Sequence, residues 1–211
     1  MIKAVIFDSD GMLSHGPRFS DTYAKERNIP IEDMIPFFKG PFNDCIVGKT
    51  DLKEELENGG WLQKWGWIDS VEEFLEYWFS VGDQLDANVF ATVTELREKG
   101  TIVVLATNQE KYRTAYLSEK FGYENAFDKI FSSARTGHKK PNADFFQKIL
   151  EYLQEQDPSI TKENVLFWDD DMENVDGAHA FGIKSEQFTN EQSYREKMAE
   201  YSLLRSSISA L

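Results

Sequence analysis

Two aspartates, Asp8 and Asp10, directly follow a short apolar segment at the start of the chain. Residues 2–7 are almost entirely apolar, which is typical of a buried strand, and Gly11 marks a turn after the pair. Side chains two positions apart point the same way while the backbone stays extended, so we expect the two carboxylates to lie close together. Like charges in one site need a cation, a proton or a ligand that separates their roles. The pair is therefore our first candidate for catalytic chemistry.

Two further polar groups follow other short apolar segments. Thr107 and Asn108 follow one of them, and Asp169 and Asp170 follow another. A hydroxyl, an amide and the backbone N–H groups after them can bind a phosphoryl oxygen. Several carboxylates in one crevice offer the hard oxygen ligands that Mg²⁺ prefers. The pattern favours Mg²⁺-assisted chemistry on an anion, provided that the fold brings these groups together.

Each of these residues also has an ordinary structural interpretation when it is taken singly. A lone aspartate after a strand can cap a turn or the next helix, and Asp171 is better interpreted as such a cap than as a ligand. Thr107 with Asn108 is, by itself, more simply a turn before a helix. Lys140, which precedes Pro141, offers the local positive charge that an acidic protein needs near an anionic substrate. Acidic pairs after two separate strands weaken the purely structural interpretation.

These polar groups are positioned by strands and helices that alternate from residue 86 onward. Besides residues 2–7, the apolar runs predict strands at residues 101–106, 129–133, 165–168 and 185–188. Such alternation is typical of a parallel sheet with right-handed helical crossovers. Ligands bind these sheets beyond the carboxyl ends of the strands. We therefore predict an α/β fold, a Rossmann-like parallel sheet flanked by helices, with the polar groups in one crevice.

Helix starts are predicted from capping patterns. Ser70 with Glu73 has the spacing of a capping box, and Thr189 with Gln192 has the same spacing before the last predicted helix. The final residues, 206–211, are expected to fray.

Residues 15–85 show helical signals and no convincing strand, and we call them the helical insertion. The predicted domains are accordingly an α/β core domain of residues 1–14 and 86–211 and a small all-helical domain of residues 15–85. Three tryptophans between residues 61 and 67 are interpreted as a small helical core rather than an aromatic ligand box.

Composition narrows the class of partner. The chain has 23 Lys and Arg against 37 Asp and Glu, a net charge of −14, which opposes nucleic acids and anionic membranes as general partners. A single cysteine, Cys45, excludes an internal disulfide and fits a reducing compartment. No apolar run approaches the roughly 18 residues of a membrane helix, and Asp8 interrupts the N-terminal run before it could be a signal peptide. We expect a cytoplasmic protein.

Taken together, the polar groups resemble the four motifs of the haloacid dehalogenase superfamily of phosphotransferases, in the family's order and across essentially the whole chain. The motif residues are Asp8–Gly11, Thr107–Asn108, Lys140–Pro141 and Asp169–Asp170 with Asn174.

The resemblance implies separate roles for the first two aspartates. Asp8 is the expected nucleophile, which attacks phosphorus and forms an aspartyl-phosphate. Asp10 is the expected acid–base group, which protonates the leaving oxygen and then takes a proton from the hydrolytic water. This role requires a protonated Asp10 at the start, so its pKa should be pushed apart from that of Asp8. A carboxylate at this position also favours an oxygen leaving group over a halide.

Mg²⁺ is the cofactor that the resemblance implies. Asp8, the backbone carbonyl of Asp10 and Asp170 are expected to hold it, and Asp169 to act on metal-bound water. The ion would offset the repulsion between a carboxylate nucleophile and a phosphate.

The remaining motif residues are implied to bind the phosphoryl group. Thr107 and Asn108 would contact it, and Lys140 would steady the charges of nucleophile and phosphate. The helical insertion is implied to be a mobile cap that excludes bulk water when it closes.

Substrate choice would rest with this cap. His15, Arg18 and Lys49 are candidates for contacts with the leaving group, although a surface charge is the preferred interpretation of each. The leading hypothesis is a Mg²⁺-dependent phosphomonoester hydrolase that acts on a small phosphorylated metabolite. The alternatives are a phosphomutase of sugar phosphates with the same covalent chemistry, a non-catalytic phospholigand-binding protein of the same fold, or a structural protein that assembles through its Trp-rich insertion. The sequence predicts no oligomeric state.

Overall fold

A computed structural model describes residues 1–205 of the chain, and the expected fraying of residues 206–211 lies outside this range. Its centre is a parallel five-stranded sheet in the order β5-β4-β1-β6-β7, which confirms the predicted α/β fold. A separate antiparallel pair is formed by β2 and β3. The strands are β1 (Ala4–Phe7), β2 (Ser14–His15), β3 (Gln84–Leu85), β4 (Ile102–Thr107), β5 (Lys129–Ser132), β6 (Val165–Asp169) and β7 (Lys184–Gln187).

Strand β1 is central because every one of its side chains is apolar and buried. It pairs with β4 on one side and β6 on the other, so both of its faces must be covered. Val5 and Phe7 join the apolar cluster on one face of the sheet, and Ala4 and Ile6 join the cluster on the opposite face. Strand β7 is an edge strand whose residues are half-buried or exposed, which explains its weak sequence signal.

Six short helices fill the helical insertion, namely α1 (Phe19–Arg27), α2 (Ile35–Lys39), α3 (Phe42–Ile46), α4 (Leu52–Asn58), α5 (Trp61–Lys64) and α6 (Val71–Ser80). The predicted capping box of Ser70 and Glu73 is present at the start of α6. Trp65 and Trp67 are buried in a cluster of aromatic side chains that Trp61 flanks, and Trp65 donates through Nε1 to the backbone oxygen of Asp33 at 3.2 Å. The cluster is thus a helical core, as predicted.

Seven helices follow in the remainder of residues 86–205, namely α7 (Ala87–Glu98), α8 (Lys111–Phe121), α9 (Tyr123–Ala126), α10 (Ser133–Thr136), α11 (Ala143–Gln156), α12 (Met172–Phe181) and α13 (Glu191–Glu200). Asp171 caps α12 by accepting from the Glu173 amide, as predicted. The prediction of Thr189 as the cap of α13 is wrong. Asn190 is the cap, because its side chain reaches the Ser193 amide at 2.9 Å.

Two short strands that the sequence did not predict, β2 and β3, lie at the two ends of the helical insertion. Gln84 and Leu85 pair with Ser14 and His15 to form an antiparallel ribbon, β2–β3, where the chain leaves and re-enters the sheet layer. The two connections touch, since a Cβ added to Gly16 would lie 2.1 Å from the Cα of Gly82. Strands of two residues are too short to give a periodic pattern in the sequence, and the paired residues lie about 70 positions apart along the chain.

Within residues 1–205, no helix combines the length and the apolar character needed to cross a lipid bilayer.

Candidate active site

The ends of three adjacent strands bring the predicted residues together. Thr107 ends β4 and Asp169 ends β6, and Asp8 follows directly after β1, which lies between them. The Asp8 amide donates to the Trp168 carbonyl at 3.0 Å, so the pairing with β6 continues up to this residue. Since the strands are parallel, all three carboxyl ends meet at one edge of the sheet.

Lys140 joins two of these carboxylates in the buried centre of the site. Its Nζ lies 2.6 Å from Asp8 Oδ1 and 2.5 Å from Asp169 Oδ2, and the exposed fraction of the three side chains is 8% or less. Burial opposes the charged form of Lys140, yet the two carboxylates raise its pKa above the ordinary value. The ammonium therefore stays charged between them.

The pKa of Asp8 is shifted in the opposite direction from that of a simple ion-paired carboxylate. Burial raises it well above the ordinary value, and the nearby charge of Asp169 raises it further, although Lys140 opposes both effects. An additional positive charge at this site would favour the ionised form that a nucleophile needs.

Asn108 anchors the backbone of Lys140. The Lys140 amide donates to Asn108 Oδ1 at 2.8 Å, and Asn108 Nδ2 donates to the Lys140 carbonyl at 3.0 Å. The side-chain amide that was predicted to contact phosphate is therefore engaged in holding the lysine in place. Thr107 is buried beside it, 1% exposed, and its predicted contact with a phosphoryl group stays a prediction.

Three carboxylates could hold a metal ion. Oxygen atoms of Asp8, Asp169 and Asp170 lie within 4.8 Å of one another. Asp170 rests against the loop after β1, because a Cβ added to Gly11 would lie 2.1 Å from Asp170 Oδ2. Burial, with the charge of Asp169, raises the pKa of Asp170. This donor set consists of hard oxygen atoms and fits Mg²⁺.

Asp169 is the most constrained of the three carboxylates. In addition to Lys140 it accepts from the Asp171 amide at 2.9 Å and from Asn174 Nδ2 at 3.1 and 3.2 Å. Asn174, which the fourth motif includes, thus orients this acidic group rather than reaching into the crevice.

Asp10 lies outside this cluster and has its own partners. Its carboxylate accepts from Arg113 Nη2 and Gln109 Nε2, each at 2.9 Å, and from Ser14 Oγ at 3.1 Å. The Asp10 side chain is 48% exposed. Its partial burial alone would raise the pKa of Asp10, but Arg113 and these hydrogen bonds lower it below the ordinary value. The pKa values of Asp8 and Asp10 are therefore pushed apart, but in the sense opposite to the one that an acid role for Asp10 requires.

Gln109 and Arg113 are the residues that sequence reasoning missed. A signal was present: Arg113 is a cation in the first turn of α8, where the helix dipole disfavours positive charge. Such a residue needs a nearby anion, and Asp10 is one.

The three leaving-group candidates lie in different surroundings. His15 Nε2 lies 3.4 Å from the Asp86 carboxylate, and the exposed Lys49 lies 3.3 Å from that of Asp44. Arg18 is also exposed, but it lines a cavity that reaches Asp10. His15 lines the same cavity, so the structure brings His15 and Arg18 to the site, whereas Lys49 does not line this cavity.

Comparison with known proteins points to one family. The model of the family described as haloacid dehalogenase-like hydrolases matches residues 2–182. Sesquiterpene phosphatase astK of Aspergillus oryzae is 31% identical over 98 residues, which are 46% of this chain and 47% of that protein. The chain thus matches less than half the length of this relative.

Solved structures agree on the fold. A HAD family enzyme from Bacteroides thetaiotaomicron superposes with a TM-score of 0.77 at 20% identity, covering 93% of this chain and 98% of that one. A mutant of the same enzyme in complex with magnesium and inorganic phosphate superposes with a TM-score of 0.74 at 20% identity, covering 92% and 98% of the two chains.

Proposed function

We propose that this chain, which belongs to the haloacid dehalogenase-like hydrolases, removes phosphate from a small phosphorylated metabolite. The observation that carries the proposal is Lys140 buried between Asp8 and Asp169, with a second carboxylate, Asp10, nearby. Such an arrangement combines a nucleophile, a counter-charge and an acid–base group at the edge of a parallel sheet. The sesquiterpene phosphatase relative and the neighbour that was solved with phosphate are consistent with it.

In the proposed reaction, a carboxylate oxygen of Asp8 forms a bond to phosphorus while the bond from phosphorus to the leaving oxygen breaks. The Lys140 ammonium, 2.6 Å from Asp8, compensates the negative charge that nucleophile and phosphate bring together. Water then attacks the aspartyl-phosphate, which releases inorganic phosphate and restores Asp8.

Asp10 is the group that we assign to proton transfer. It would protonate the leaving oxygen and later accept a proton from the attacking water. In the free protein Arg113 favours its ionised form. A phosphate dianion nearby adds negative charge, which raises the pKa of Asp10 and favours uptake of the proton.

We assign Mg²⁺ to Asp8, Asp169 and Asp170 together with the backbone carbonyl of Asp10. When bound there, the ion supplies positive charge that keeps Asp8 ionised and reduces its repulsion of phosphate.

The helical insertion is proposed to act as the cap over this site. Several polar contacts tie it to the sheet layer. Among them, Ser133 Oγ donates to the Ile46 carbonyl at 2.7 Å, Lys139 Nζ to Asn43 Oδ1 at 3.2 Å, and Tyr112 to the Asp51 carboxylate at 2.9 Å. They are polar contacts between side chains or loops, which can break and re-form as a cap opens.

The test is phosphate release from p-nitrophenyl phosphate and a panel of phosphorylated metabolites, with Mg²⁺ or with EDTA. We expect metal-dependent turnover that Asp8→Asn abolishes, and that the exposed Asp176→Asn leaves intact. Absence of turnover by the wild type across the panel would overturn the proposal, and binding of phosphate without turnover would favour a binding protein of the same fold. Full activity of Asp8→Asn would rule out the covalent route.

A further inference from the structure

A cavity of about 280 Å³ lies beside Asp10, where the β2–β3 ribbon meets the helical insertion. Its lining includes Asp10, Arg18, Phe19, Trp78, Gly82 and Arg113. It contacts the proposed proton donor and none of the three proposed metal-binding carboxylates. In a phosphomonoester bound at Asp8, the group beyond the leaving oxygen would face this side of the site.

Two arginines give the cavity a positive character. The Arg113 side chain is 15% exposed, and within residues 1–205 its guanidinium donates to Asp10 Oδ1 at 2.9 Å and to the Phe79 carbonyl at 3.4 Å. A guanidinium has five N–H donors, so these two bonds leave others unused. Arg18 forms no ion pair with any side chain in the described part of the chain. Two guanidinium groups therefore line the cavity, and the Asp10 carboxylate pairs with that of Arg113.

This arrangement would favour the binding of an anion in the cavity. The chain carries a net charge of −14, yet it places two cations at one small cavity. Arg113 also lies in the first turn of α8, where the helix dipole disfavours a cation. The planar fork of an arginine matches carboxylate and phosphate oxygens, and Phe19 and Trp78 offer apolar surface beside it.

We propose that the cavity is a subsite for a second anionic group, a carboxylate or a phosphate, carried by the leaving group of the substrate. Arg113 and Arg18 would bind this anion, and the carbon skeleton would lie against Phe19 and Trp78. The substrate class is then the phosphomonoesters of small hydroxy acids or the bisphosphates of small diols. The inference rests on the proposed function, because the first phosphate is placed at Asp8.

Three compounds with the same three-carbon chain test the subsite: 3-hydroxypropyl phosphate, 3-phosphooxypropanoate and propane-1,3-diyl bisphosphate. Their second terminus is neutral, a carboxylate and a phosphate, respectively, so the pair of charged compounds identifies the source of the anion. Binding is followed by intrinsic fluorescence, since Trp78 lines the cavity, and turnover by phosphate release. We expect at least one charged compound to bind about 10- to 100-fold more tightly than the neutral one.

The variants Arg113→Gln and Arg18→Gln should each reduce this preference, and Arg113→Lys should restore part of it. The matched control is Arg195→Gln, which removes the same charge from an ion pair with Glu191 on α13. Arg195→Gln should leave the preference unchanged.

Two outcomes would overturn the inference. One is equal binding of all three compounds. The other is that Arg113→Gln weakens the binding of charged and neutral compounds by the same factor, which would mean that this arginine only positions Asp10. Failure of the proposed function gives a different result: none of the compounds is hydrolysed, while the binding preference still decides whether the subsite exists.

Discussion

At the scale of single residues, the site is organised by an imbalance of charge in and beside its buried centre. Lys140 faces Asp8 and Asp169, and Asp170 lies near both carboxylates. One ammonium among three carboxylates leaves two negative charges uncompensated when all are ionised. A divalent cation would balance them, which agrees with the hard oxygen donors of the cluster.

Removal of Lys140 should destabilise the fold as well as the site. Lys140→Met leaves Asp8 and Asp169 buried without a counter-charge, and we expect a loss of about 3–5 kcal/mol in the free energy of unfolding. Urea denaturation in EDTA measures it. Lys139→Met, at the neighbouring and more exposed lysine, should cost less than about 1 kcal/mol. Equal costs for the two variants would contradict the role of Lys140 as the buried counter-charge.

The role of Asp10 predicts a dependence on the leaving group. Asp10→Asn should reduce kcat/KM for alkyl phosphates by about 10²- to 10⁴-fold, because their leaving oxygen needs a proton. The loss for p-nitrophenyl phosphate should be much smaller, since its leaving group is already stable as an anion. Steady-state kinetics on both substrates provide the measurement. The control is Asp8→Asn, which should lose activity on both substrates. Equal losses in Asp10→Asn would argue against proton donation.

Prediction from sequence was most successful for residues whose chemistry is tied to a strand end. Asp8 and Asp169 lie together at strand ends on one edge of the sheet, and Lys140, from the loop between α10 and α11, joins them there as the order of the motifs predicted. The partners of Asp10 were not predictable in the same way. Gln109, which lies just before α8, and Arg113, in its first turn, reach Asp10 through a geometry that depends on where that helix begins.

At the scale of elements, caps and short pairings decide where side chains lie. The buried strands and the long helices follow from apolar runs and periodic spacing, and the structure reproduces them to within a few residues. The cap of α13 was misassigned because Thr189 and Asn190 are adjacent and both can accept from the helix amides. Only the backbone angles decide between them, and these depend on the turn after β7.

Helix α8 has an unusual cap whose stability contribution should depend on pH. Glu110 accepts from the Tyr112 amide at 2.7 Å and also from the Arg113 amide, and it is 3% exposed. Burial raises its pKa above the ordinary value of 4.5. Because its pKa is raised, the folded state favours the protonated form of Glu110. The contribution of this group to the free energy of unfolding is therefore fully present below pH 4.5, and it is lost as the pH rises through the raised pKa.

Glu110→Gln keeps the acceptor oxygen and removes this titration. We therefore expect the variant to gain stability relative to the wild type as the pH rises from 4 to 8. Urea denaturation across this range is the measurement, and Glu119→Gln on the exposed side of α8 serves as the control. A difference between variant and wild type that is independent of pH would refute the expected shift.

At the scale of the whole molecule, the helical insertion has its own buried core and contacts the sheet layer through polar groups and through two aromatic side chains of α8. Its buried side chains pack against one another and touch Tyr112 and Tyr116 of α8. Asp51 connects it to α8, since it accepts from the Tyr112 hydroxyl and pairs with Lys111. The proposed closure of the insertion over the site would depend on these contacts with α8.

Loss of one such bond should shift the proposed closure. Tyr112→Phe removes the hydroxyl that donates to Asp51, at a cost of about 1 kcal/mol, and should lower kcat/KM by about 5-fold. Backbone hydrogen exchange in α4 should become faster at the same time. Tyr152→Phe removes a comparable hydroxyl that donates to the Asp128 carbonyl at 3.2 Å, remote from the insertion, and should change neither quantity. Unaltered exchange and kinetics in Tyr112→Phe would count against this contact as part of the closure.

The contact between Gly16 and Gly82 has a consequence for the origin of new specificities. The chain departs and returns at almost the same point, so the two junctions themselves set no length for the 65 residues in between. The segment of a related protein that corresponds to residues 17–81 could therefore be grafted onto this sheet through two adjacent junctions. Such a graft would replace Phe19 and Trp78, and with them one wall of the cavity, while Asp8 and Lys140 stay untouched. Recombination at these adjacent junctions can thereby change which substrates bind, while the residues proposed to carry out phosphate removal stay the same.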